Sequence, residues 1–251
     1  MWLVLCATHD ASALWAFQGL QARGLYPLQL VTAEALSASH AWEHHVTTND
    51  VSVCVTLADG RKLDSRFVRG TLNRLTLLPT NHFDASPDRE YAAQEFSAFC
   101  MSWLNALKGP VFNPVSPQGL CGAWRHVSEW VWLAAQAGLP TPAYRQTSSD
   151  AFDETKTLRR LFPAETPTQT MIVVGQQVVG APVSAKIRAG CLRLAQLAQT
   201  PLLGIDFIAS ARGAAWTFAG ATPMPDLSAG GEPLLAALAS ALQQKNGAHR
   251  S

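Results

Sequence analysis

Charged residues are scarce in this chain of 251 residues, since Asp, Glu, Lys and Arg make up only 15% of it, where about a quarter is usual. The formal net charge of +1 excludes a strong field that would attract nucleic acid or an anionic membrane. Because hydrophobic residues still make up 48%, we expect a folded protein. Its surface is then either unusually neutral or partly covered, by a second copy in a homodimer or by a partner protein.

Several sequence signatures are also missing. The five cysteines are scattered without a C-x-x-C pair, which favours reduced thiols in a cytoplasmic protein over disulfides or a zinc site. The opening MWLVLCAT is too short an apolar run for a membrane span and lacks the basic start of a signal peptide. Neither G-x-G-x-x-G nor G-x-S-x-G occurs, so the dinucleotide fingerprint and the serine nucleophile elbow are excluded.

The first part of the chain predicts alternating strands and helices. Residues 2–8 predict a buried strand, 11–22 an amphipathic helix capped by Asp10 and stopped at Gly24, and 28–31 a second strand. This β-α-β order predicts a right-handed parallel crossover. Further on, the patterns predict a hairpin over 51–68, helices over 89–107, 123–137, 187–199 and 233–244, a polar linker over 145–169 and a tight hairpin around Gly175-Gln176.

The most informative segment is residues 201–228, PLLGIDFIASARGAAWTFAGATPMPDLS. Leu203–Ile208 predicts an apolar strand interrupted by Asp206, and Ala215–Ala219 predicts a second strand with Trp216 and Phe218 on one face. A small, Gly-containing turn joins the two strands, so the segment predicts a β-hairpin.

This hairpin resembles the metal-binding core of ATP-grasp ligases, whose G-[VIL]-D-[FIL] strand matches Gly204–Phe207. Asn113-Pro114 and Gly138-Leu139-Pro140 follow the order of family segments that lead into the nucleotide-binding half. The resemblance implies an α/β (α+β) fold. Its parts are a pre-ATP-grasp-like unit with closing helices (1–142), a polar linker (143–170) and a reduced ATP-grasp-like C-terminal half without the lid (171–251).

The resemblance also implies a magnesium site that this sequence does not complete. The acid-x-Asn pair of the family corresponds to Gly220 and Thr222, and no Val-Val-Lys-Pro strand or lid segment precedes Met171. Asp206 remains, either as a ligand or as a strand acid bonded to backbone, and Asp226 is a candidate second carboxylate. We therefore expect no metal and no cofactor, although any cofactor that is bound would, by the resemblance, be ATP with Mg.

Two further groups of polar residues are candidate ligand contacts. His9 and Asp10 follow the first strand, where ligands bind in open α/β sheets, although Asp10 could simply cap a helix. Arg69, Asn73 and Arg74 leave a strand in VRGTLNRL. Such a cluster could bind a carboxylate or phosphate, or it could pair structurally with helix C-terminal carbonyls or a partner acid.

Other constellations give weaker signals. His40, His44 and His45 lie with Glu43 in SASHAWEHHV, which has metal-binding residue types at helical spacing, although a solvated turn is the simpler interpretation. Cys121 precedes a predicted helix and is the thiol best placed for a lowered pKa, the alternative being an inert core thiol.

We therefore favour a catalytically degenerate ATP-grasp-like protein that acts as a binding or scaffold subunit of a biosynthetic pathway, beside a partner enzyme or as a homodimer. The alternative is an active ATP-dependent carboxylate–amine ligase, in which Asp206 and Asp226 hold the metal and Arg69 and Arg74 hold the substrate. A third hypothesis is a small-molecule sensor that binds its ligand at His9.

Overall fold

The computed structural model describes residues 1–79, 86–144, 162, 166–209 and 216–244. The chain divides into two compact units, one made of Met1–Ala123 with Leu235–Ser251, the other of Trp124–Leu234. The sequence predicts domain boundaries on either side of a linker at 143–170. Most of that linker lies outside the described residues, so these boundaries stay a prediction. No helix in these ranges is long and apolar enough to span a membrane.

The first unit holds a parallel sheet and a separate antiparallel sheet. The parallel sheet has the order β2-β1-β6-β7, and the antiparallel one has the order β3-β4-β5. The elements are β1 (Trp2–Cys6), α1 (Ala11–Ala22), β2 (Leu28–Thr32), α2 (Ala33–Ser37), β3 (Ala41–Val46), β4 (Val51–Thr56), β5 (Lys62–Asp64), β6 (Gly70–Asn73), α3 (Ser86–Ala106) and β7 (Val111–Phe112).

The predicted β-α-β opening is confirmed. β1 and β2 run parallel in register from Trp2 opposite Leu28, and the Asp10 side chain accepts a hydrogen bond from the N–H of Ala13 at 2.9 Å, which caps α1. Both sheets contribute to one apolar core, in which Leu5 of β1 and Trp103 of α3 are fully buried. The C-terminal ends of β1 and β6 therefore lie at the edge of this packed core.

The segment around His40, His44 and His45 differs from its prediction. It forms β3, an extended strand paired with β4, and not a helix or a turn. In a strand neighbouring side chains point to opposite faces, so His44 and His45 do not converge. Strand pairing explains the difference, because Val53 and Val55 of β4 supply buried apolar contacts that a solvated turn could not make.

The second unit is built on an antiparallel sheet of order β11-β10-β8-β9. Helices α4 and α5 pack against it around a core that includes Leu194, Ile205 and Phe207. The elements are α4 (Val127–Gln136), β8 (Gln169–Val174), β9 (Gln177–Val179), α5 (Ala185–Leu197), β10 (Leu202–Ala209) and β11 (Trp216–Thr222). A parallel α/β sheet in one unit and an antiparallel sheet with helices in the other confirm the predicted α/β (α+β) class.

The last helix, α6 (Gly231–Gln243), begins in the second unit and belongs to the first from Leu235 onward. Leu235 packs so closely on Gly19 of α1 that a side chain at position 19 would overlap it. The indole Nε1 of Trp2 donates a hydrogen bond to the carbonyl of Leu242 at 3.2 Å. Helix α6 therefore packs against α1 and β1 and forms part of the first unit.

The late hairpin gives a matched test of this packing. A Cβ at Gly204 would lie 2.8 Å from Cβ of Pro225, whereas one at Gly220 would meet nothing within 4 Å. We expect Gly204→Ala to lower the free energy of unfolding by about 1–3 kcal/mol through overpacking, and Gly220→Ala to change it by less than about 0.5 kcal/mol. Urea denaturation measures both, and equal effects would contradict the packing of Pro225 on β10.

Candidate functional site

The carboxyl edge of the parallel sheet is the first candidate site. β1 and β6 are neighbours in the middle of the sheet. After β1 the chain continues to β2 on one side of this central pair, and after β6 it continues to β7 on the opposite side. Open α/β sheets bind ligands outside the strand ends at such a switch point. Asp10 follows β1 there and Arg74 follows β6, so the structure brings these two predicted residues together.

Asp10 and Arg74 form a buried, two-pronged ion pair. Arg74 Nε lies 2.7 Å from Asp10 Oδ2, and Arg74 Nη2 lies 3.3 Å from Asp10 Oδ1. The side chains are only 5% and 11% exposed. Asp10 thus serves both as the cap of α1 and as the counter-ion of Arg74, which is the internal pairing that the sequence left open as an alternative. A ligand contact by either residue stays a prediction.

Asn73 is fully buried beside this pair and uses its amide inside the protein. Its Nδ2 donates to the carbonyls of Asn113 and Leu120 at 2.8 and 2.7 Å. Its Oδ1 accepts from the N–H of Leu75 at 3.2 Å. Asn73 therefore anchors the loop that carries the Asn113-Pro114 motif to the end of β6.

Arg69 lies at the opposite end of β6 from Arg74. Its exposed guanidinium stacks over the Trp2 ring, 5.1 Å from the centroid, and it lines a surface cavity of about 620 Å³ together with Lys108. The four residues of β6 lie between the two arginines, so their Cα atoms are five residue steps apart, roughly 17 Å at the rise of a strand. The structure does not bring them to one anion site.

His9 is exposed in the loop that follows β1. The preceding Thr8 donates its hydroxyl to Glu34 Oε2 at 2.6 Å, and this hydrogen bond is the main cause that lowers the pKa of Glu34. The loop is therefore tied to α2, and a ligand role for His9 stays a prediction.

Cys121 differs from the prediction that its thiol has a lowered pKa. Its thiol is buried and donates to the carbonyl of Asn73 at 3.0 Å. Burial raises the pKa of Cys121, because a thiolate would lose its hydration there. The predicted lowered pKa is wrong, and the alternative of an inert core thiol describes this residue.

The late hairpin of the second unit is the second candidate site, and its predicted pairing is confirmed. Asp206 on β10 lies opposite Gly220 on β11, and Gly204 lies opposite Thr222. Asp206 Oδ1 accepts a hydrogen bond of 2.6 Å from the hydroxyl of Thr170 on β8. Thr170 was not predicted as a site residue, because the sequence pattern placed it before the strand, although Thr170, Ile172 and Val174 alternate along β8.

The donors around this hairpin do not fit the magnesium site of the family. Gly220 offers no side chain, Thr222 Oγ1 accepts from the N–H of Met224 at 3.1 Å, and Asp226 Oδ1 accepts from the N–H and hydroxyl of Ser228 at 3.0 and 2.7 Å. Within the described ranges no three His, Cys, Asp or Glu side chains are grouped to hold a metal. The predicted absence of a lid segment before Met171 concerns residues that lie mostly outside those ranges.

Solved structures share this fold over almost the whole chain. The macrocyclase MdnC of Microcystis aeruginosa MRC, bound with precursor peptide MdnA, superposes with a TM-score of 0.70 at 14% identity and covers 96% of this chain and 99% of that one. A RiPP-associated ATP-grasp ligase of Chryseobacterium gregarium, in complex with ADP and a leader and core peptide, gives 0.67 at 11%, covering 96% of each chain.

The ATP-grasp ligase PsnB, complexed with minimal precursor, Mg and ADP, gives a TM-score of 0.63 at 16% identity, covering 97% of this chain and 98% of that one. No protein-family model and no curated protein matches the sequence. At these identities the similarity defines the fold, and the chain has the fold of the ATP-grasp ligases. The resemblance found in the sequence is thereby confirmed at the level of the fold.

The two arginines allow a test of the ion pair. Arg74→Ala leaves the Asp10 carboxylate buried without its partner, so we expect it to lower the free energy of unfolding by about 3–5 kcal/mol. The matched Arg69→Ala loses an exposed contact to Trp2 worth about 1 kcal/mol or less. Thermal and urea unfolding of both variants give the comparison, and a mild effect at position 74 would contradict a structural role for the pair.

Proposed function

We propose that this protein is a catalytically silent ATP-grasp-like subunit that binds a peptide precursor or a partner enzyme in a biosynthetic pathway. The observation that carries the proposal is the register of the late hairpin, in which Asp206 faces Gly220. Asp206 is then the single carboxylate on the two strands of this hairpin as described, at the lower limit of the one or two carboxylates by which proteins hold Mg²⁺ beside nucleotide phosphates.

The hydrogen bonds of the remaining donors support the same conclusion. Asp206 and Thr170 are 2.6 Å apart within the sheet, and Asp226 caps the 3₁₀ turn that begins at Leu227. Each carboxylate therefore has a local structural role that needs no metal. Polar groups that stabilise the fold in this way can persist after a catalytic site is lost, which explains why Asp206 remains.

A binding role is supported by the kind of protein that shares the fold. MdnC was solved with a precursor peptide, and the Chryseobacterium gregarium ligase with a leader and core peptide. Their identities to this chain are only 14% and 11%, so the fold is what the chain shares with them. We infer that this chain also retains their recognition of a peptide, and that a separate enzyme performs the chemistry.

Isothermal titration calorimetry with Mg-ATP tests the loss of nucleotide binding. We expect no saturable heat up to about 1 mM Mg-ATP, whereas binding at about 10 µM that Asp206→Asn abolishes would overturn the proposal. Asn keeps the acceptor for the Thr170 hydroxyl, so the control removes the charge and not the hydrogen bond.

Binding itself needs a separate measurement. Purified products of the neighbouring genes, including any short precursor peptide, are titrated one at a time against this protein without nucleotide. We expect at least one to bind, and failure of all of them would remove the binding role while leaving the catalytic inference intact.

An active ATP-dependent carboxylate–amine ligase with a rebuilt site is the second candidate. Pro225 packs on Gly204, so the loop that carries Asp226 folds back onto the strand that carries Asp206. Two carboxylates could hold Mg²⁺, which would then bind and orient the phosphates of ATP. Release of ADP with a pool of amino acids and peptides, lost in both Asp206→Asn and Asp226→Asn, would favour this candidate.

A further inference from the structure

A surface cavity of about 620 Å³ lies at the amino-terminal ends of the parallel strands, at the opposite end from the ion pair of Asp10 and Arg74. Its walls come from Trp2 at the start of β1, from residues 68–69 before β6, from the loop 108–110 before β7 and from the end of α6. All of these segments belong to the first unit. The volume falls within the range of about 300–1,000 Å³ that is usual for small-ligand sites.

Two glycines let the walls of this cavity approach one another. A Cβ at Gly109 would overlap the carbonyl of Arg69, and one at Gly70 would lie 2.9 Å from the carbonyl oxygen of Leu242. The loop before β7 and the end of α6 therefore pack directly on the main chain at the start of β6. This packing places Lys108, which directly precedes Gly109, on the segment that adjoins Arg69.

Arg69 and Lys108 give the cavity a positive charge. The exposed guanidinium of Arg69 lies over the Trp2 ring, with its central carbon 5.1 Å from the ring centroid. Lys108 Nζ lies 2.8 Å from Asp50 Oδ1, and both of these side chains are about half exposed. Such an exposed pair contributes little to stability, so the lysine can turn toward a ligand. Among the described residues, no acidic side chain lines the cavity.

Apolar surface adjoins the two cations. The Trp2 ring and Pro110 line the cavity and are only half-buried. The indole Nε1 of Trp2 donates to the carbonyl of Leu242 at 3.2 Å, which fixes the ring in place. Gln243 and Gln244 also line the cavity and are exposed, so their amides can donate and accept hydrogen bonds there. The cavity therefore combines a fixed aromatic ring with positive charge.

We propose that this cavity binds a carboxylate attached to a small apolar group, with the carboxylate against Arg69 and the apolar group against Trp2. The guanidinium has parallel N–H groups that match the two oxygens of a carboxylate. The end of α6 brings main-chain carbonyls to the same place, and their partial negative charge disfavours a phosphate dianion more than a carboxylate. This inference is independent of the proposed function.

Calorimetric titration of the full chain with 4-phenylbutyrate tests the site, and the neutral 4-phenylbutyramide is the matched control ligand. We expect a dissociation constant on the order of 0.1–1 mM for the acid, because the cavity is open to solvent. The amide should bind at least about tenfold more weakly, because it lacks the charge that pairs with Arg69. An absence of saturable heat up to about 10 mM acid, or equal binding of the two compounds, would overturn the proposal.

Matched arginine variants test the residue that holds the carboxylate. Arg69→Gln should raise the dissociation constant of 4-phenylbutyrate about tenfold, and Lys108→Gln should raise it about threefold, since that charge is exposed. Arg66→Gln is the control, because Arg66 is exposed, pairs with Asp64 and does not line the cavity. We expect it to bind as the wild type does. Equal effects at positions 66 and 69, or no effect at 69, would place the ligand elsewhere and refute the proposal.

Indole N–H signals in a two-dimensional NMR spectrum locate the ligand independently of affinity. The Trp2 signal, assigned by its loss in Trp2→Phe, should shift on titration with 4-phenylbutyrate. The signal of Trp124, which is exposed in the second unit, should stay in place. A shift of Trp124 without one of Trp2 would contradict the site.

A free small acid and the C-terminus of a peptide carry the same carboxylate. The peptide acetyl-Ala-Ala-Phe with a free C-terminal carboxylate distinguishes these two sources when it is titrated in the same way. Tighter binding of the peptide than of 4-phenylbutyrate identifies a chain terminus as the ligand, and weaker binding identifies a free acid. Either order of affinities supports a carboxylate site, provided that Arg69→Gln weakens the binding, and binding that this variant leaves unchanged would refute it.

Discussion

A buried ion pair fixes the carboxyl edge of the parallel sheet, and the candidate site in the first unit depends on it. Asp10 ends the loop after β1 and caps α1, while Arg74 leaves β6, and their side chains meet at 2.7 Å with little exposure. Neither charge could remain there alone, because its lost hydration would not be replaced. The place where open α/β sheets commonly receive ligands is thus used, in this chain, to hold two strands and a helix together.

The late hairpin shows a similar use of polar groups within the fold. Asp206 receives a hydroxyl hydrogen bond from Thr170 in the neighbouring strand, and it faces Gly220 across the ladder. The backbone arrangement is that of the ATP-grasp ligases, whereas Gly220 has no side chain and the side-chain oxygens of Thr222 and Asp226 accept local hydrogen bonds. The fold rests on backbone pairing, whereas any chemistry at such a site rests on a few side chains.

Local signals in the sequence predicted much of the fold, because they agreed with the tertiary packing. The apolar run of β1, the cap at Asp10 and the alternating late hairpin are such signals. Predictions that required knowing which residues meet in space succeeded less often. Arg69 and Arg74 are close in sequence but lie at opposite ends of β6. Residues 41–46 became a strand because β4 pairs with them, and nothing local showed that Thr170 would reach Asp206.

The return of α6 to the first unit has a consequence for how the chain is made. Leu235 covers Gly19 and the carbonyl of Leu242 receives the Trp2 indole, so residues from the two extremes of the described chain complete one core. During synthesis the ribosome delivers the whole of Trp124–Leu234 before that closing helix exists. The described strands of the second unit have been synthesised by then, whereas the first unit still lacks α6. The packing of α6 on α1 and Trp2 is therefore a later event in synthesis than the formation of those strands.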